Sequence, residues 1–303
     1  MELILIILLR LVVNDAAKFW LTKKASASVG REQRFLLTFA TAAVIAGLIA
    51  PWKFDWTFGI IAMIGFVQAF GTYCHWRAFD ISMSKTSLYA WPDDLLAMLL
   101  AMWWLNEVQV LNAPMVTGVM CSLVAMMLFA KSDAAKKSDA QNKKHPLTLW
   151  LWVLGYSALW GGAFFSLKCF ALEKVPVLEF IHPWYWGAVI AALIVCTIAT
   201  RGRFGIVTLP ASSIGLSSAL GVGILCSLVL TFSVLRLAPL VAAQPMFMVT
   251  EAAIPALIGL LELKVLGVRL GFAEGRQYDR FEWSCFGLGA VGVCLIALGY
   301  ALT

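Results

Sequence analysis

The chain has 303 residues, of which 61% are hydrophobic and only 13% charged, with a mean hydropathy of +0.86. A soluble domain carries about 25% charged residues, so the composition excludes a water-soluble enzyme and points to an all-α integral membrane protein. The net charge of +6 belongs to loops; a membrane protein gathers Lys and Arg on its cytoplasmic side in this way, and no nucleic-acid partner is implied.

Ten apolar segments run at about 2–22, 35–52, 56–78, 87–105, 112–130, 148–168, 183–200, 212–235, 243–262 and 282–302, and the longer ones match the ~20 residues that a helix needs to cross a bilayer. The first begins at Met1 but lacks a small-residue cleavage site, and its charges follow the apolar run. It reads as a retained helix and not a signal peptide. Inside it, Asn14, Asp15 and Lys18 form a polar patch. Asp15 and Lys18 are three apart and can pair on one helix face. Either that pair is self-contained, with Lys18 snorkelling to the interface, or Lys18 faces Asp93 and is released when solute or proton arrives.

Gln68, Tyr73, His75 and Arg77 cluster near the end of the third segment, with Gln68 and His75 two turns apart on one face. The fourth segment carries the most informative stretch, Trp91-Pro92-Asp93-Asp94. An ionisable group at membrane depth costs ~2.5–3.5 kcal/mol on insertion scales, so it faces a water-filled cavity or a partner. A proline inside a spanning helix needs neighbours to satisfy the carbonyl it frees. Asp93 and Asp94 point ~100° apart on a helix. One is expected to line a central cavity while the other binds a helix end or a cation; the alternative is a salt bridge to Lys18 or Lys85.

A polar stretch rich in Lys, Ser, Asp and Asn lies at 131–147 and reads as a linker between two halves, 1–130 and 148–303, of five segments each. In the sixth segment Trp160 precedes Gly161-Gly162, and in the ninth Gln244 and Glu251 stand where Trp91–Asp94 stand in the fourth. Glu251, among apolar neighbours, is expected to be deep. Tyr89, Trp91 and Trp160 adjoin polar or Gly-rich positions and are placed to flank an organic solute; Trp103, Trp104 and Trp184–Trp186 read as interfacial aromatics.

Each half closes on a small-residue-rich helix, from Gly118 in the first and Gly287 in the second. Five segments per half place the halves in opposite orientation, the arrangement of inverted-repeat transporters. Sorted by side, sixteen Lys and Arg fall with the linker, against Lys53, Lys168, Lys174 and Arg236 opposite. That bias puts the linker in the cytoplasm and both termini outside.

The run from Asp80 to Glu107 resembles the "L-x-x-x-E-P-x-x-A-x-L-x-x-x-x-L-G-E" pattern of the drug/metabolite transporter superfamily, EamA-like branch, with Asp93 in its acidic slot, Asp94 in its proline slot and Glu107 as the closing glutamate. The second copy is Leu235 through Glu262. Trp160-Gly161-Gly162-Ala163-Phe164 leading to Lys168, and Asp15-Ala16-Ala17-Lys18-Phe19 leading to Lys23, resemble the family's "W-G-x-N-F-x-x-x-K". Arg34-Phe35 resembles the arginine that opens its second helix. Asp15 and Lys18 depart from the pattern, and residues about 264–281 look like an insertion. The family keeps its termini in the cytoplasm, opposite to the charge count. The resemblance implies ten transmembrane helices in two inverted five-helix repeats, in a bacterial inner membrane, exporting or exchanging a small organic solute such as an amino acid.

The residues expected at the solute or coupling site are Asp93, Asp94, Trp91, Tyr89, Lys18, Asp15, Gln68, His75, Trp160, Gln244 and Glu251. The seven cysteines include no C-x-x-C pair, so neither metal site nor cofactor is expected. His75, His145 and His182 sit on separate segments without a paired acid motif, which argues against an enzyme. No phosphate-binding loop marks an ATP-driven pump. A membrane-embedded lipid-modifying enzyme and a non-transporting scaffold are the competing readings. Solute and lipid are the expected partners; monomer and homodimer are both open.

Overall fold

A computed structural model of the protein describes residues 2–89, 92–136, 146–202, 209–261 and 279–302. Among these, all regular structure is helical. Helix α1 (Glu2–Arg10) runs on through a π-helical segment, Leu11–Lys18, into α2 (Phe19–Ser28). There follow α3 (Arg31–Ile49), α4 (Trp56–Tyr89), α5 (Pro92–Trp104), a single 3₁₀ turn at Glu107–Val110, α6 (Ala113–Lys136) and α7 (Pro146–Leu172). The chain continues through α8 (Val177–Thr200), α9 (Ala211–Leu237), α10 (Leu240–Leu261) and α11 (Arg280–Ala301). Six helices, within α3, α4, α7, α8, α9 and α11, are long and apolar enough to cross a membrane; Ala113–Phe129 is apolar but shorter. Leu48, Ile198 and Trp103 stay largely exposed (80%, 74% and 85%) after the protein's own packing, as suits a surface covered by hydrocarbon. This is an all-α chain with the character of a multi-pass membrane protein.

Proline and left-handed residues set many boundaries. Pro176 caps α8, and the Pro239 carbonyl accepts the N–H groups of Ala242 and Ala243 at the start of α10. Helix α8 ends on Arg201 and Gly202, both at positive φ (52° and 76°). Asp279 and Glu282 close a reciprocal capping box on α11.

Three expectations need correction. Helix α4 continues past the expected end of the third segment to Tyr89; the junction at 90–91, on which the reading of Pro92 as internal to a helix depends, lies outside the described residues. The polar linker is shorter than 131–147, because Ser132-Asp133-Ala134-Ala135-Lys136 extends α6; these residues are hydrophilic, but polarity does not oppose a helix. Lys168 is not a loop cation. It is buried in α7 and donates to the Leu235 carbonyl at 2.9 Å, satisfying the C-terminal turn of α9.

The chain divides into two compact units, Met1–Trp76 with Ser166–Leu237 and Arg77–Phe165 with Ala238–Thr303. They do not coincide with the sequence halves; each takes helices from both.

In the first unit, α3 packs on α8 and α9. Phe180 stacks on Phe232 (centroids 4.6 Å), Phe35 meets Phe39 edge-on (5.0 Å), and the Tyr185 hydroxyl donates to the Ile224 carbonyl at 2.8 Å. In the second unit, α6 and α11 form the closest pair. These are the two small-residue-rich helices that end the sequence halves. A Cβ on Gly118 would stand 2.5 Å from the Gly292 carbonyl oxygen, and one on Gly292 would stand 2.5 Å from Ser122 Oγ. Asn112 locks the end of the pair by donating to the Gly299 carbonyl at 2.7 Å. Small residues let helix backbones approach closely where lipid provides no hydrophobic drive between helices.

Candidate functional site

Two polar clusters lie inside the apolar helices, one in each unit. That of the second unit surrounds the start of α5. Asp93 and Asp94 stand in the first described turn of α5. Both are buried (3% and 7% exposed). Gln244 of α10, fully enclosed, donates its Nε2 to Asp94 Oδ1 at 2.8 Å. Among the described residues no donor reaches Gln244 Oε1. From α7 the buried Tyr156 hydroxyl donates to the Asp93 carboxylate. Glu251 of α10 lies within electrostatic range of Asp93.

Helix α7 reaches this point because Gly161 has no side chain. A Cβ there would stand 2.8 Å from the Asp93 carbonyl oxygen and 2.9 Å from Leu96 Cβ. Trp160 packs between Tyr156 (6.3 Å) and Phe164 (5.3 Å), so a row of rings at four-residue spacing runs along α7 beside the acids. Nearby, Glu107 is buried and accepts the Val241 N–H at 3.0 Å, capping α10 from outside its own chain segment.

The first unit's cluster is built on the π-helical segment. Widened helical turns of this kind recur at functional sites. Here the turn buries Asn14 and Asp15. Asn14 Oδ1 accepts from Lys18 and from Ser227 Oγ (2.7 Å), while its Nδ2 donates to Asp15 Oδ1 at 2.5 Å. Asp15 also lies 3.8 Å from Arg10 Nη1, and Arg10 Nε donates to Thr231 Oγ1 at 3.1 Å. Lys18 is close enough to His75 to act on its charge. Buried Gln68 donates to Thr72 Oγ1 at 2.8 Å. Arg34, also buried, lies over the Trp76 ring at 4.5 Å.

No protein-family model matches the sequence, and no curated protein matches it either. Among solved structures, a protein crystal structure is similar over 99% of this chain and 96% of its own, with a TM-score of 0.63 and 16% sequence identity. That likeness shows the fold alone.

Of the residues singled out from sequence, Asp93, Asp94, Gln244, Glu251 and Trp160 come together in the second unit. Asp15, Lys18, Gln68 and His75 belong to the first. Trp91 lies outside the described residues, as does most of 264–281. Tyr89 is the last residue of α4, and its side chain, like that of Lys85, is outside the description. Two expectations change. Lys18 bonds to Asn14, one turn away, and Asp15 lies against Arg10, so the polar patch reaches beyond the expected Asp15–Lys18 pair. Glu251 is exposed and not deep, because the fully packed stretch of α10 ends at Val249. Sequence reasoning missed Tyr156, Arg10 and Ser227. Tyr156 had one available signal: a hydroxyl four residues before Trp160 on a run of otherwise apolar neighbours.

Proposed function

We propose that the protein is a secondary transporter of a small organic solute, such as an amino acid or a related metabolite. In this reading it has ten membrane segments in two inverted five-segment repeats, resembles the EamA-like branch of the drug/metabolite transporters, and works in the cell membrane, a bacterial inner membrane by family habit. The observation that carries it is the pair of buried acids, Asp93 and Asp94, set among apolar helices with the Gln244 amide and the Tyr156 hydroxyl on them. Carboxylates enclosed in apolar surroundings are costly and are kept for a task.

Support also comes from what the first unit does with its charges. Its acid is met by Arg10 and Asn14, and its Lys18 by Asn14, so that cluster is a structural network. The second unit's acids, held by an amide and a hydroxyl, are the stronger candidates for solute or proton coupling. The test is a thermal-shift screen of purified protein against amino acids and related metabolites at two pH values, followed by efflux from proteoliposomes loaded with each hit. A ligand of the folded state raises the melting temperature by mass action. Asp93→Asn and Asp94→Asn, tested separately, are expected to lower flux. Native flux and native pH dependence in both variants would overturn the proposal.

A further inference from the structure

The atoms turned together at the start of α5 are chiefly acceptors. Asp93 and Asp94 bring two buried carboxylates, and the exposed Glu251 of α10 adds a charge within electrostatic range of Asp93. Gln244 is 0% exposed and commits its Nε2 to Asp94 Oδ1, which holds the amide in the cluster and leaves its Oε1 there as well. Among the described residues no donor reaches that oxygen. An enclosed amide oxygen without a donor is costly, and a donor that arrives with a ligand accounts for its presence. Tyr156 offers a hydroxyl, already given to Asp93. Beside these groups the rings of Tyr156, Trp160 and Phe164 lie on one face of α7.

We infer that the solute is a primary or secondary organic amine with a ring-sized apolar body. Its ammonium N–H groups are shared between Gln244 Oε1 and the Asp93 and Asp94 carboxylates, and its body lies on the Tyr156 and Trp160 rings. This rests on the transport reading of the same site. The acceptor set selects positive charge, the amide oxygen selects N–H over N–CH₃, and the rings select an organic cation over a metal ion. Gln244 is then a specificity-determining residue.

The test uses the purified full chain and four probes: phenethylamine, its N,N,N-trimethyl derivative, 3-phenylpropionate, and sodium chloride against choline chloride. Binding is read by calorimetry, and flux of phenethylamine and 3-phenylpropionate by proteoliposome uptake. Phenethylamine is expected to bind saturably and the trimethyl derivative at least about tenfold more weakly, the worth of a hydrogen bond to a charged group. Gln244→Met, similar in size but without the acceptor, is expected to weaken phenethylamine by a comparable factor and to leave the trimethyl derivative unchanged. If that variant does not fold, the wild-type probe series decides alone. Equal binding of the amine and its trimethyl derivative, tighter binding of 3-phenylpropionate, a response to sodium alone, or no binding by any probe overturns the inference. Flux of 3-phenylpropionate without amine binding overturns it while leaving transport intact. Amine binding that depends on Gln244, with no flux of any solute, supports the amine site and removes the transport reading.

Discussion

Glu107 and Asp94 are both buried carboxylates, yet their partners assign them different work. Glu107 accepts a main-chain N–H at the start of α10, so its role is to hold that helix. Glu107→Ala leaves the Val241 N–H unmet and is expected to cost ~1–3 kcal/mol, read as a lower detergent-solubilised unfolding midpoint whether or not solute is present. Glu107→Gln keeps an acceptor and should recover most of that loss. Asp94 instead bonds to a side chain, Gln244, which a solute can re-pair. The acids and amides themselves were legible in the sequence, because a charge in an apolar run is rare enough to notice. Their partners were not. Tyr156 looks like any aromatic of a spanning segment, and Arg10 looks like a stray cation until Thr231 and Asp15, from distant sequence and from the next turn, close around it.

Helix α5 shows where segment-level reading succeeds and where it fails. Hydropathy located the fourth segment near 87–105, and the helix occupies Pro92–Trp104. What hydropathy could not show is that α4 runs on to Tyr89, more than two turns past the expected end of the third segment, because polar residues within a helix lower its hydropathy without ending it. Helix α8 starts at Val177, six residues before the expected 183, and holds Pro183 in its interior. Gly161 makes the geometry of α5 testable. Gly161→Ala places a methyl against the Asp93 carbonyl and Leu96, and is expected to destabilise the fold by ~1–3 kcal/mol as overpacking does, and to reduce flux by shifting Asp93. Gly162→Ala, next in sequence with nothing within 4 Å of the added atom, should leave both stability and flux near native. Comparing unfolding midpoints of the two variants separates local packing from a general intolerance of α7 to alanine.

At the scale of the molecule, the described parts of the apolar segments lie largely on helices, whereas the compact units cut across the sequence halves. Linear reading groups neighbours along the chain, and packing groups whatever fits: α6 and α11, the last helices of the two halves, pack together through Gly118 and Gly292. The sorting of Lys and Arg, sixteen against three once buried Lys168 is set aside, predicts that a protease site inserted at 137–145 is cut from the cytoplasmic side of sealed spheroplast-derived vesicles and protected on the other. The account as a whole depends on the second unit's acids serving a solute. The most direct measurement is solute counterflow in proteoliposomes with wild type, Asp93→Asn and Asp94→Asn, each first shown to be folded and monodisperse. The account predicts that at least one variant loses about tenfold or more of the flux, the scale of a buried charge-assisted contact, while its melting temperature without solute stays near native. Native flux in both variants would contradict it.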